Sequence, residues 1–345
     1  MIVYIILLLV IMVFACLSNK VNEKGKNVLI FLIFLSLSII SGIRYNVGAD
    51  YLNYQTFFNY IGVLSNSDYE IGYYLLNYIL KFLFNNSISI FFATSMIINY
   101  FICKMIKDNE NHVLSYFIYI CGTYFFFGLN GIRQAIAMSL FYYSLKFIKT
   151  KNLKKYFICN LIGMLFHISS IIFIPLYLIL DKPIKNKKKV IILIMSFLLS
   201  NTIVKILSNV LLTSRYSFYI LKSEYYIKST FNISSIINFL ILILYSVFTD
   251  KNDKNNCIFE NIHLIAAIIS ILMPYMPLAN RLFMSFRYIE FLSVPNLLKN
   301  LSLKNKKLGA FIKFMVYILY FYYFIHGVYM ENGNKVLPYK TIFNK

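Results

Sequence analysis

Long apolar runs separated by short polar intervals fill almost the whole chain, and their lengths set the elements they predict. A helix needs about 20 residues to cross a bilayer. Runs close to that length occur at Met1 to Leu17, Val28 to Ile43, Val113 to Gly128, Ala135 to Ile148, Val190 to Leu212, Ile233 to Phe248, Cys257 to Met273, Leu282 to Leu298 and Leu308 to Val328. Two stretches are less regular. From Ile71 to Lys104 the apolar pieces GYYLLNYILKFLF and SISIFFATSMIINYFICKMI are split by Asn85 and Asn86. The first is short and carries Lys81, which predicts a partial helix followed by one full span. Tyr156 to Leu180 is a single segment between two basic loops, so either the charge pattern fails once or the segment enters and leaves on one side. Re-entrant backbone is tolerated where protein or water surrounds it, and His167 then marks the tip. The expectation is an all-α, polytopic integral membrane protein with about ten membrane segments, re-entrant or half-membrane helices among them.

Charge orients this pattern. Lysines gather in short intervals: Lys20 to Lys26, Lys104 and Lys107, KTKNLKK, the lysines before Val190, DKNDKNN and KNLSLKNKK. The excess of basic residues in short cytoplasmic loops places these inside. RYNVGADYLNY, from Arg44 to Tyr54, then lies outside, as do LNGIRQ, SRYSFYILKSEYYIKSTFN and PYMPLANRLFMSFRY. Met1 to Leu17 lacks a basic leader and a small-residue cleavage pattern, so it reads as a retained span. The organisation expected is one transmembrane domain over 1–345, with an outer-face site built from loops around 44–70, 129–134, 213–231 and 274–288.

Composition agrees and excludes other classes. The 345 residues are 59% hydrophobic and 14% charged, against about 45–50% and about 25% in soluble domains. No polar interval is long enough to build a soluble core. The net charge of +21 lies in the short loops and suits anionic lipid rather than nucleic acid. Five scattered cysteines show neither zinc nor disulfide spacing. HExxH, GxxxxGK[ST] and GxSxG are absent, and no Cys/His cluster occurs, so neither a metal nor a cofactor is expected.

Only five of the 34 basic side chains are arginines: Arg44, Arg133, Arg215, Arg281 and Arg287. Guanidinium offers a planar fork of donors for phosphate or carboxylate that lysine cannot copy. With the two irregular segments read as above, all five fall at the outer face, among Tyr45, Tyr51, Tyr216 and Tyr288, a set suited to a large anionic ligand. The alternative for any one of them is a head group snorkelling at a helix end. Asp50 and Glu70 are the nearest carboxylates; each is either a general base for a sugar hydroxyl or an arginine's partner. An ionisable residue in an apolar segment, as His167 is, marks a pathway or a site, although a lone histidine also serves as a bonded core residue. Glu290 is placed to pair with Arg287 at i,i+3.

The blocks GIRYNVGADYLNYQTFF, YEIGYYLL, GIRQAIAMSLFYYSL, LFHISSIIFIPLYLI and SRYSFYI, and more weakly RLFMSFRYIEF, resemble in order and content the EpsG family of exopolysaccharide and capsule loci. The resemblance implies a Wzy-like polysaccharide polymerase in the bacterial cytoplasmic membrane. Such an enzyme joins undecaprenyl-pyrophosphate-linked repeat units at the outer face, beside a flippase and a chain-length regulator. It implies that Arg44, Arg133 and Arg215 hold the pyrophosphate, with Tyr51, Gln134, Tyr216, Arg281 and Arg287 as further substrate contacts. Asp50, Glu70 or His167 would act on the acceptor. A flippase or exporter of the same lipid-linked oligosaccharide, and a sugar acyltransferase, are the rival readings.

Overall fold

The structure, a computed structural model, describes residues 1–62, 69–109, 111–212, 232–276 and 279–344. It is 79% helical, and no strand occurs among the described residues. Among the described residues four helices are long and apolar enough to cross a membrane, or up to six if each of two bent pairs is one span. Reaching the expected tally of about ten requires counting shorter apolar helices as well. The residues group into two compact units, Met1–Tyr177 with Lys307–Lys345, and Leu178–Lys306.

The first unit begins with α1 (Ile2–Ser18) packed on α2 (Glu23–Gly42). Asn22 caps α2 by accepting from the Gly25 N–H, one of the donors a helix start leaves unpaired. A polar loop then leads into α3 (Tyr51–Tyr60). The short α4 (Ile71–Phe84) ends at Asn85 in the left-handed region and is followed by α5 (Ile88–Lys107), which packs on α2. The expected rise over Val113 to Gly128 is broken: α6 (His112–Cys121) and α7 (Tyr124–Asn130) meet at 50°, with Thr123 at φ 66° between them. α8 (Ile132–Lys149) is buried almost all round, against α5 and α9 (Leu153–Phe166). Its Ser139 and Ser144 hydroxyls donate to carbonyls one turn back, at 2.8 and 2.6 Å, as a polar group away from water must. At His167 the helix stops, and a 3-10 segment (Ile168–Leu178) continues.

In the second unit, α10 (Asn186–Leu198) and α11 (Ser200–Leu212) are bent by 67° where one span was expected from Val190 to Leu212. α12 (Ile233–Phe248) packs on the deeply buried α13 (Lys254–Leu272). The helix expected from Leu282 to Leu298 is two, α14 (Ala279–Arg287) and α15 (Glu290–Lys304). Two ion pairs are buried in this unit: Lys189 donates to Glu260, and Arg287 Nε to Glu290 Oε1 at 2.9 Å, the i,i+3 pair expected from spacing. Burial of one partner without the other would be strongly unfavourable.

The chain's last helix, α16 (Lys306–Phe324), runs into a π-helical turn (Ile325–Met330) and returns to the first unit, where Phe324 stacks on Phe126. The segment after it folds against the loop that follows α2. Tyr45 and Ile342 donate their N–H groups to Lys340 and Ile43 carbonyls at 3.0 and 2.9 Å, and Gly48 and Ala49 donate to Lys335 and Asn334 at 2.9 and 3.2 Å. The Tyr339 hydroxyl reaches the Ile40 carbonyl at 2.8 Å, and Tyr4 the Val336 carbonyl at 3.0 Å. This contact puts the C-terminal segment at the arginine-bearing end.

Gly48 makes that loop possible. It sits at φ +106°, and a Cβ there would meet the Leu129 carbonyl oxygen at 2.8 Å. Gly48→Ala therefore combines left-handed strain with a backbone clash. The expected result is a loss of about 2 kcal/mol or more, read as a lowered thermal unfolding midpoint in detergent; an unchanged midpoint would show that the loop yields freely.

Candidate functional site at the arginine-bearing end

Arg44 leaves α2 directly into the loop and turns inward, with 1% of its surface exposed. Its Nε donates to the Val47 carbonyl at 3.3 Å, one terminal nitrogen to the Ser41 carbonyl and the other to the Leu129 carbonyl at 3.2 Å. The guanidinium carbon lies 4.7 Å from the centroid of the Phe91 ring. Burial lowers its pKa to about 10, which leaves it charged at neutral pH. The structure thus places Arg44 as a tie between the loop and the end of α7, with each of its three nitrogens on a carbonyl. Tyr51 is buried beside it, stacked on Phe91 at 4.3 Å. Asp50 is half-buried at the start of α3 and donates its N–H to the Asn130 side chain at 2.9 Å, a second tie to the α7–α8 junction.

In the first turn of α8, Arg133 forms an ion pair with Glu70, which immediately precedes α4. Its guanidinium carbon lies 4.6 Å from the Tyr69 ring centroid and 6.0 Å from that of Tyr73, within cation–π range. The side chain keeps 23% exposure, and its buried Nε has no acceptor among the described residues. Gln134, the next residue, is buried.

Glu70 is the hub. One oxygen takes Arg133; the other accepts the Ile168 N–H at 3.2 Å and faces His167 Nδ1 at 3.6 Å. Burial alone would raise the Glu70 pKa, but the facing His167 ring, the Arg133 charge and the Ile168 N–H outweigh it and bring it down to about 2. A carboxylate held by such donors stays ionised. His167 reaches Glu70 because α9 ends there: the residue is extended, at φ −155° and ψ 110°. α4 approaches so closely that a Cβ on Gly72 would meet the Leu165 carbonyl oxygen at 2.7 Å. Three segments far apart in sequence thus converge on one carboxylate.

Among the remaining expected residues, Arg281 is exposed on α14 and Arg287 fully buried at its end; Arg287 also donates to the Ser234 hydroxyl at 3.0 Å. Both belong to the second unit. Arg215 and Tyr216 lie outside the described residues. Two contributors escaped the sequence reading. Tyr69 was visible only as a neighbour of Glu70, and the C-terminal segment behind Arg44 carries no chemical motif. No cluster of His, Cys, Asp and Glu suited to a metal occurs among the described residues.

A chain that is mostly helical among the described residues, with several apolar helices, is a polytopic membrane protein. The model of the EpsG family matches residues 27–341, and the chain belongs to that family. Membership makes it a membrane protein of polysaccharide biosynthesis. No curated protein and no solved structure matches it.

Proposed function

We propose that the protein is a polysaccharide polymerase of the bacterial cytoplasmic membrane. It joins undecaprenyl-pyrophosphate-linked oligosaccharide repeat units at the outer face. The observation that carries this reading is the convergence of Arg133, Glu70 and His167 at the end of α8 opposite Lys146 and Lys149. In the reaction an acceptor sugar hydroxyl attacks the anomeric carbon of the donor. The bond from that carbon to the diphosphate oxygen breaks, the electron pair leaves with the diphosphate, and the hydroxyl proton passes to a base. His167 is that base, and the Glu70 carboxylate 3.6 Å from its Nδ1 favours the imidazolium that forms when it takes the proton. Arg133, whose Nε has no acceptor among the described residues, meets the growing negative charge on the leaving diphosphate. Tyr69 offers a ring of the kind that packs on sugar faces. Arg44 shapes the wall through Val47 and Leu129, and Asp50 is an additional acceptor contact. A flippase supplies the substrate, and a chain-length regulator acts on the product.

The test is a deletion strain complemented with Arg133→Ala or His167→Ala. Both are expected to lose polymer while single lipid-linked repeats accumulate on the outer leaflet, with kcat lowered about 100-fold or more for the histidine. Accumulation of those repeats on the inner leaflet would instead make the protein a flippase.

A further inference from the structure

At the opposite end of the first unit, three lysines from three helices crowd three aromatic rings. Lys146 of α8 places its ammonium 3.6 Å from the centroid of the Tyr143 ring, and Lys104 of α5 lies 5.3 Å from the same centroid. Lys104 also donates to the Tyr100 hydroxyl at 3.1 Å. Lys155 of α9 approaches Phe147, the ring next along α8, at 5.9 Å. Neighbouring ammonium groups repel one another. At the same end Lys107 pairs with Glu23 at 3.0 Å. No carboxylate among the described residues pairs with Lys104 or Lys146. Asp108 is one turn beyond Lys104, whose ammonium turns the other way, towards Tyr100.

The surface beside the lysines is apolar. Met96, Tyr100 and Lys104 recur at intervals of four on α5 and so form one stripe. Met96 is 47% exposed and Tyr100 49%, so the stripe leads from the ammonium groups along the helix face towards mid-membrane. A soluble phosphate would use the lysines and ignore the stripe. A lipid would use both.

We propose that this face binds one anionic phospholipid, its phosphate between Lys104 and Lys146 and an acyl chain along Met96 and Tyr100. Cationic side chains between membrane helices on the lysine-rich side favour such head groups. Tyr143 holds the two ammonium groups in place when the lipid is absent, through the negative face of its ring. The site is independent of the polymerase reading, since it uses none of the residues at the other end.

The experiment uses the full chain, purified in detergent, with phosphatidylglycerol and phosphatidylcholine supplied in equal amounts and retained lipid counted by native mass spectrometry. The intact protein is expected to keep one phosphatidylglycerol in preference to phosphatidylcholine. Each lysine near an anionic lipid contributes about fivefold, so Lys104→Ala with Lys146→Ala should weaken retention about 30-fold. The paired arginine replacements should restore it. Lys187→Ala with Lys188→Ala, two exposed lysines of the second unit, should leave it unchanged. Equal loss in that control pair, or no loss in the first, would reduce the effect to diffuse attraction and overturn the site. Displacement of the lipid by inorganic phosphate at matched phosphate concentration would overturn it too, assigning the lysines to a free anion.

Discussion

Glu70→Gln is expected to abolish polymer formation and to destabilise the protein, because one carboxylate serves three segments. The amide still fills the space, but Arg133 loses its counter-charge and His167 its negative neighbour. Removing one partner of a buried pair costs about 3 to 5 kcal/mol. The 23% exposure of Arg133 lets water return to it, so the lower end, about 3 kcal/mol, applies. The pH dependence has a definite sign. The Glu70 pKa in the folded protein is lowered to about 2, below the ordinary carboxylate value of about 4.3. Its contribution to stability is therefore fully present above that ordinary value and is lost as pH falls through the folded one. Thermal unfolding in detergent should show the intact protein and Glu70→Gln far apart at neutral pH and converging between about pH 4.5 and pH 2. A gap that stayed constant across that window would mean that the carboxylate charge is not what holds the cluster. Glu70→Asp separates charge from reach: it keeps the anion but withdraws it from the Ile168 N–H, so it should recover much of the neutral-pH stability and little of the activity.

Much of this cluster could be read from residue chemistry alone. Scarce arginines in a lysine-rich chain single out Arg133. The break in apolarity around YEIGYYLL exposes Glu70, and an imidazole within an apolar run draws attention to His167. Spacing sufficed for Arg287 and Glu290, three residues apart on neighbouring helical positions. What the sequence cannot display is a backbone acceptor. Arg44 looks like a phosphate ligand when its neighbours are only letters, yet in the fold it meets the carbonyls of Ser41, Val47 and Leu129, which no side-chain pattern encodes. Lys189 and Glu260 are likewise invisible as partners because 71 residues separate them. The helix breaks at Thr123 and between Leu198 and Ser200 fall inside continuous apolar runs. Hydropathy averages over such breaks, so the pattern yields single spans where the backbone bends.

The C-terminal segment is the other element without a sequence signal, and its removal tests whether the loop at Arg44 has a structure of its own. Deleting residues 331–345 takes away the four backbone hydrogen bonds to residues 43–49, together with those made by Tyr339 and Tyr4. At about 1 kcal/mol each the direct loss is about 5 kcal/mol or more, comparable with the whole stability of many domains. The helices should still insert, because their hydrocarbon-spanning length is untouched. The loop should not hold, and Arg44, now 1% exposed, should become accessible. Trypsin applied to the arginine-bearing side should cut after Arg44 in the truncated protein and spare it in the intact one, with polymer formation lost in parallel. Tyr339→Ala, which gives up the bond to the Ile40 carbonyl and the edge contact with Tyr4 at 5.3 Å, should show the same cleavage more slowly. If the truncated protein resists trypsin at Arg44 and still makes polymer, then Arg44, Asn130 and Gly48 hold the loop without help, and the C-terminal segment is a cover rather than a support.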